Sequence, residues 1–70
     1  MKKIEAAMAG TILNVLVQQG EEVTVGQTVL VLESMKMEIP VEATDAGKVV
    51  NVTVSIGDFV NEGDILVELE

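Results

Sequence analysis

The sequence of 70 residues contains no cysteine, histidine, tryptophan or tyrosine, and Phe59 is its only aromatic residue. Without cysteine, neither a disulfide framework nor a thiolate metal site is available. Without histidine and cysteine, catalysis would have to use carboxylates, which this sequence scatters over predicted turns and strand ends. We therefore expect no catalytic residues, no metal ligands and no independent enzyme.

Positive charge is also scarce, because four lysines accompany twelve acidic residues and give a formal net charge of −8 at pH 7. This balance opposes binding to nucleic acid or anionic membranes and favours basic protein surfaces. Lys2 and Lys3 precede a mostly apolar stretch, as in a signal peptide, but residues 43–54 repeat that stretch. No segment has the apolar length needed to span a bilayer. We expect a cytoplasmic protein, monomeric in isolation, without nucleic-acid or membrane partners.

An internal repeat is the dominant feature that the sequence does contain. Residues 5–33 and 42–70 align without a gap and share 12 identities in 29 pairs. All six glycines fall into three pairs that are 37 residues apart. Stacked repeats usually need at least three copies, so two copies predict a closed pair with approximate two-fold symmetry. The length predicts a single domain over residues 1–70.

Hydrophobic alternation in both repeats predicts short β-strands, and no stretch has a sustained helical period. We expect about eight strands in an all-β, small flattened barrel or sandwich. The six clearer strands cover residues 3–7, 11–18, 28–33, 38–43, 48–55 and 64–69. The side chains predicted to face the core are Leu13, Val15, Val17, Val23, Leu30, Leu32, Val50, Val52, Val54, Val60, Val67 and Leu69. Glu33 and Glu70 are predicted to face outward, and Pro40 to lie at a sheet edge or strand start.

A methionine-flanked lysine lies between the repeats, in the segment Glu33-Ser34-Met35-Lys36-Met37-Glu38. With Gly20-Glu21-Glu22-Val23 before it and Gly57-Asp58-Phe59-Val60 after it, this segment resembles the biotinyl domain of biotin-dependent carboxylases. The resemblance covers nearly the whole chain and extends to short free-standing biotin/lipoyl attachment proteins and to carrier domains of decarboxylases or pyruvate carboxylases. It departs from the family pattern at Ser34, which is usually alanine, and in Ala6-Ala7-Met8-Ala9-Gly10, which lacks the usual prolines.

The resemblance implies a barrel-sandwich hybrid of two four-stranded antiparallel sheets with quasi-two-fold symmetry. It implies that Lys36 carries covalent biotin, attached by a biotin protein ligase, and that Met35 and Met37 flank it as recognition residues. The domain would then be a non-catalytic carrier. It would shuttle carboxyl groups between the biotin carboxylase and carboxyltransferase sites of a biotin-dependent carboxylase or decarboxylase.

Alternative interpretations exist for each of these residues. A lipoyl domain has the same repeat and hairpin but typically presents Asp-Lys-Ala around its lysine, so lipoate is the alternative cofactor and a dual acceptor is a further option. In a further interpretation the chain is an interaction module in which Lys36 is an unmodified, solvated surface lysine. For Met35 and Met37 the alternative is that they fill gaps in the packing. Glu33 and Glu38 either contact a basic ligase surface or keep the turn hydrated, and the second interpretation is favoured.

Overall fold

A computed structural model describes residues 2–70. Within this range the chain forms eight β-strands joined by turns and loops, and no helix. The strands are β1 Lys2–Glu5, β2 Gly10–Val15, β3 Glu22–Val23, β4 Thr28–Ser34, β5 Met37–Glu42, β6 Gly47–Val52, β7 Phe59–Val60 and β8 Ile65–Leu69. All six clearer predicted strands are present. The predictions 11–18 and 48–55 were three residues too long, because Gln18 and Ser55 already belong to turns in which their amides bond to side chains.

The strands form two four-stranded antiparallel sheets, with the orders β1-β8-β6-β3 and β5-β4-β2-β7. We call the second one the hairpin sheet. Each strand of one sheet has its counterpart, 37 residues away, at the same place in the other sheet. The short strands β3 and β7 each join the sheet built mainly by the other repeat, so the two halves interlock. The predicted all-β, flattened barrel-sandwich fold is confirmed.

The backbone hydrogen bonds that lie outside the strand pairing, in turns and connections, follow the same offset of 37 residues. Among the described residues, nearly every such bond in one half has a partner bond in the other, with N···O distances between 2.7 and 3.1 Å. In one symmetric pair, Ala6 N–H donates to Asp64 C=O and Ala43 N–H donates to Gln27 C=O. In another, Gly20 N–H donates to Val49 C=O and Gly57 N–H donates to Ile12 C=O. Most of these bonds connect one repeat to the other, so neither half completes its hydrogen bonding alone.

The core departs from the predicted alternation at one point in each repeat. Ile12 and Val49 are 1% exposed, whereas Leu13 and Val50 are only half-buried. Register shifts, typical of β-bulges, occur at these two places, between Ile12 and Asn14 and between Val49 and Asn51. A bulge adds one residue to a strand and so reverses the faces of the residues before it. The prediction that Leu13 and Val50 face the core was therefore wrong.

The other predicted core positions are confirmed. Those that are 3% exposed or less are Val17, Val23, Leu30, Leu32, Val60, Val67 and Leu69. Val15, Val52 and Val54 are half-buried and pack against this cluster. The core also contains Val29 and Leu66, both fully buried, which occupy a second symmetric pair of register shifts. Glu33 and Glu70 are exposed, as predicted.

Pro40 lies in β5, the edge strand of the hairpin sheet, as predicted. Proline has no amide hydrogen, so it is compatible with an edge position that leaves one side of the strand unpaired. Within residues 2–70, no helix has the length and hydropathy required to cross a membrane.

Candidate functional site

Lys36 lies in the two-residue turn that connects β4 to β5, the two strands with the most extensive pairing in the chain. The last pair before the turn is Ser34 with Met37, so Met35 and Lys36 form the whole connection. Their φ angles are 53° and 64°. Two positive φ values are characteristic of a type I′ turn, whose twist matches that of the strands it joins. The hairpin therefore holds the lysine backbone in a defined position at its tip.

The turn is built from residues that do not favour its conformation. Among residues 2–70, Met35 and Lys36 are the only non-glycine residues with positive φ. The left-handed conformation costs a residue with a Cβ atom roughly 1–2 kcal/mol, which is why glycine or asparagine usually occupies such turns. The antiparallel pairing of β4 with β5 must stabilise the turn by more than this conformational cost. Residues held in this way are often found at functional sites.

The side chains around the turn extend into solvent. Met35 is 91% exposed, Met37 is 63% exposed, and Lys36 is exposed between them. At these exposures neither methionine fills a gap in the core. An enzyme can therefore reach the Lys36 amine without unfolding any part of the hairpin.

Gly10 brings the segment before β2 close to the end of β4. A Cβ atom added at Gly10 would lie 2.7 Å from the carbonyl oxygen of Glu33, well inside van der Waals contact. Gly47 is in the same situation, with a Cβ atom 2.8 Å from the carbonyl oxygen of Glu70. These two glycines are needed for close backbone approach. The other four glycines have φ between 88° and 95° and form the tight turns predicted for them.

Two acidic residues of the second repeat, Asp58 and Asp64, stabilise turns. Asp58 Oδ2 accepts a hydrogen bond of 2.9 Å from the Ser55 amide, and Asp64 Oδ2 accepts one of 2.8 Å from the Asn61 amide. In the first repeat, equivalent bonds are accepted by the side chains of Glu21 and Gln27. Because the same bond forms with a carboxylate or an amide, these acids have a structural use that requires no ligand.

Glu33 and Glu38 are direct cross-strand partners beside the turn, and both are exposed. Like charges at directly opposed positions destabilise a sheet by a few tenths of a kcal/mol up to about 1 kcal/mol. The two carboxylates therefore place negative charge next to the Ser34–Met37 pair that closes the turn. Sequence reasoning noted both residues but did not predict that they form a pair.

Comparison with known proteins agrees with this geometry. The family model described as "Biotin-requiring enzyme" matches residues 2–69. The chain belongs to this family. A relative in the biotin-requiring family is the biotin/lipoyl attachment protein of Bacillus subtilis (strain 168), which is 50% identical over 66 residues. That match covers 94% of this chain and 90% of the relative.

Some other relatives are longer than this chain. The methylmalonyl-CoA carboxyltransferase 1.3S subunit of Propionibacterium freudenreichii subsp. shermanii is 58% identical over 36 residues, which are 51% of this chain and 29% of that subunit. The crystal structure of Kluyveromyces lactis urea carboxylase superimposes with a TM-score of 0.91 at 29% identity. The superposition covers 99% of this chain and 6% of the carboxylase.

These findings identify the chain as a biotin carrier domain with biotin as its cofactor. The carboxyltransferase subunit and the urea carboxylase each match this chain over only a part of their length, and the domain itself is a non-catalytic carrier. The predictions of family, fold class, carrier function and cofactor are confirmed.

Proposed function

We propose that Lys36 is the residue that carries biotin, and that residues 1–70 form a single attachment domain. The observation that carries this proposal is the β4–β5 turn, which presents Lys36 at the tip of a hairpin between two exposed methionines. The other lysines lie in strands of the opposite sheet, where Lys2, Lys3 and Lys48 have no turn of this kind around them.

The residues of the turn fit a covalently attached group. The Lys36 amine is accessible, and the type I′ turn fixes its backbone while the side chain remains free. Lys36 Nζ, after losing a proton to a base of the ligase, attacks the activated carboxyl carbon of biotinyl-adenylate. A C–N amide bond forms, the C–O bond to phosphate breaks, and AMP leaves. Biotin, once attached, supplies the ring nitrogen that accepts and releases a carboxyl group.

The chain's own contribution is to present and carry. Met35 and Met37 extend beside the amine as apolar contacts for the ligase and for the enzymes that use the loaded lysine. The partners we propose are a biotin protein ligase and the biotin carboxylase and carboxyltransferase components of a carboxylase or decarboxylase. The domain acts in the cytoplasm and is a monomer when separated from these components.

Lipoate is the second candidate for the group on Lys36. The support for it is the Bacillus subtilis relative, whose name includes both biotin and lipoyl attachment. The methionines on both sides of Lys36 favour biotin, because lipoyl domains typically present aspartate and alanine there. We therefore place biotin first, and lipoate, alone or together with biotin, second.

Intact mass of the protein after co-expression with a biotin protein ligase tests the proposal. We expect an increase of one biotinyl group in the wild type and in Lys48→Arg, a control that changes another exposed lysine. We expect no increase in Lys36→Arg, which keeps the charge but cannot form the amide under these conditions. Biotin on Lys36→Arg, or lipoate without biotin on the wild type in cells with both ligases, would contradict the proposal.

A further inference from the structure

Sulfur occurs in this chain only as methionine, and every methionine among the described residues is exposed. The sequence has four methionines and no cysteine. Met8, Met35 and Met37 are exposed, and Met1 lies outside the described residues. The fourteen buried residues of the core are all isoleucine, leucine, valine or alanine. Methionine is ordinarily one of the residue types most often buried. Packing of the core therefore does not account for any of the three exposed side chains.

Two of these methionines are the immediate neighbours of Lys36. Met35 shares the two-residue turn with Lys36, and Met37 is the first residue of β5. We call Met35 and Met37 the flanking methionines. They are 91% and 63% exposed, whereas Met8 is 39% exposed. A small oxidant in solution is therefore expected to reach the sulfur atoms beside Lys36 first.

The composition of the chain directs such an oxidant to methionine. Hydrogen peroxide attacks sulfur, and the sequence has no cysteine, histidine, tryptophan or tyrosine to compete for it. One peroxide molecule transfers an oxygen atom to the thioether. The sulfur is oxidised to the sulfoxide, the O–O bond breaks, and the peroxide is reduced to water. The side chain changes from apolar to polar while its charge remains zero.

We propose that Met35 and Met37 form a reversible oxidation site that controls acylation of Lys36. This inference rests on the proposed function, in which the flanking methionines are apolar contacts beside the reacting amine. A sulfoxide covered by such a contact loses water from its polar S=O group, which costs free energy. Acylation of Lys36 should therefore slow. Methionine sulfoxide reductases, one for each epimer, reverse the change with a dithiol, which becomes a disulfide while the oxygen leaves as water.

The fold should not respond to this oxidation. The flanking methionines are not part of the buried core. The turn is defined by the backbone angles of Met35 and Lys36 and by the pairing of Ser34 with Met37, none of which involves a sulfur atom. Oxidation therefore changes the chemistry beside Lys36 and leaves the presentation of its backbone intact. Loss of acylation and loss of stability can be measured separately.

Treatment of the purified protein with hydrogen peroxide tests the proposal. The protein is treated before biotin is attached, because biotin has a thioether of its own, and the peroxide is removed before the ligase is added. Peptide mass measurement locates each added oxygen atom, and kcat/KM of the ligase reaction measures the consequence. The double variant Met35→Leu, Met37→Leu keeps apolar side chains that peroxide does not oxidise. Met8→Leu is the matched control, because it removes the less exposed methionine instead.

We expect oxygen to appear at Met35 and Met37 before Met8. Oxidation should lower kcat/KM of the wild type and of Met8→Leu about tenfold or more. The melting temperature should change by less than about 4 °C. The treated double variant should keep its untreated value, and the reductases should restore the wild-type rate.

Unchanged ligation of the fully oxidised wild type, or an equal loss in the treated double variant, would overturn the oxidation site and leave the proposed function intact. Reductase treatment of the wild type decides the question without a variant, since a rate that stays low after the sulfoxides are reduced would also overturn it. An untreated wild type that never accepts biotin would refute the proposed function itself.

Discussion

At the scale of single residues, the glycines have two separate physical uses. Four of them adopt positive φ angles in turns, with open space where a Cβ atom would lie. Gly10 and Gly47 have no positive φ but lie where a carbonyl oxygen leaves no room for a side chain. A sequence alone shows six paired glycines and does not distinguish these two uses.

Alanine at Gly10 or at Gly47 should lower the free energy of unfolding by about 1–3 kcal/mol, because the added Cβ atom forces the backbone of the adjacent strand end to move. Urea denaturation measures the change. Lys48→Ala, at an exposed position next to Gly47, should change stability by less than about 0.5 kcal/mol. Gly10→Ala should also slow ligation, because the displaced carbonyl group belongs to Glu33 near the Lys36 turn. Stability equal to that of Lys48→Ala would contradict this account.

At the scale of elements, the β4–β5 hairpin carries both the best-paired strands and the least favourable turn. The pairing runs from Thr28 with Glu42 to Ser34 with Met37. Only at the turn do non-glycine residues adopt positive φ in the described chain. Strong pairing of the flanking strands holds the turn closed, and an exposed lysine is held at a fixed place as a consequence.

Glycine substitution should have opposite effects at Met35 and at Met37. Met35→Gly relieves a left-handed conformation and should raise the free energy of unfolding by about 0.5–1 kcal/mol. Met37→Gly places glycine within β5 and should lower it by about 0.5–1 kcal/mol. Both side chains are mostly exposed, so loss of packing adds little. Denaturant midpoints that shift in the same direction for both variants would refute the idea of a strained turn.

At the scale of the whole molecule, two interlocked repeats enclose a core without buried polar or charged side chains among the described residues. All the ionic charge therefore lies near the surface, where twelve acidic residues and four lysines leave a net charge of −8. Mutual repulsion of this kind opposes compaction and is weakened by salt. The fold must hold together mainly through its apolar core and the hydrogen bonds between repeats.

Sodium chloride at about 0.5 M should raise the melting temperature, because the Debye length falls well below the spacing of most surface charges. A gain of about 0.5–1 kcal/mol corresponds to roughly 2–8 °C for a domain of this size. Glu38→Gln, which removes one member of the Glu33–Glu38 pair, should be more stable than the wild type at low salt and should gain less from added salt. Calorimetry at low and high salt makes the comparison. A melting temperature that falls with salt would contradict the expected role of charge.

Much of the fold was predictable from the sequence because the repeat and the alternation of side chains are local patterns. The gapless offset of 37 residues predicted the symmetry, and alternating apolar residues predicted the strands and most of the core. The position of Lys36 between the repeats, with methionines on both sides, predicted an exposed turn. Each of these inferences needs only the spacing of residues along the chain.

Other features depended on which strands lie side by side. The bulges that replace Leu13 and Val50 in the core by Ile12 and Val49 arise from strand register, which alternation does not encode. The same holds for the alignment of Phe59 with Glu33 across the hairpin sheet, which occurs only because β2 pairs with both β4 and β7. Sequence by itself determined the repeat, the strands and the lysine, whereas tertiary pairing decided the register and the neighbours, because contacts between distant residues form only when the sheets assemble.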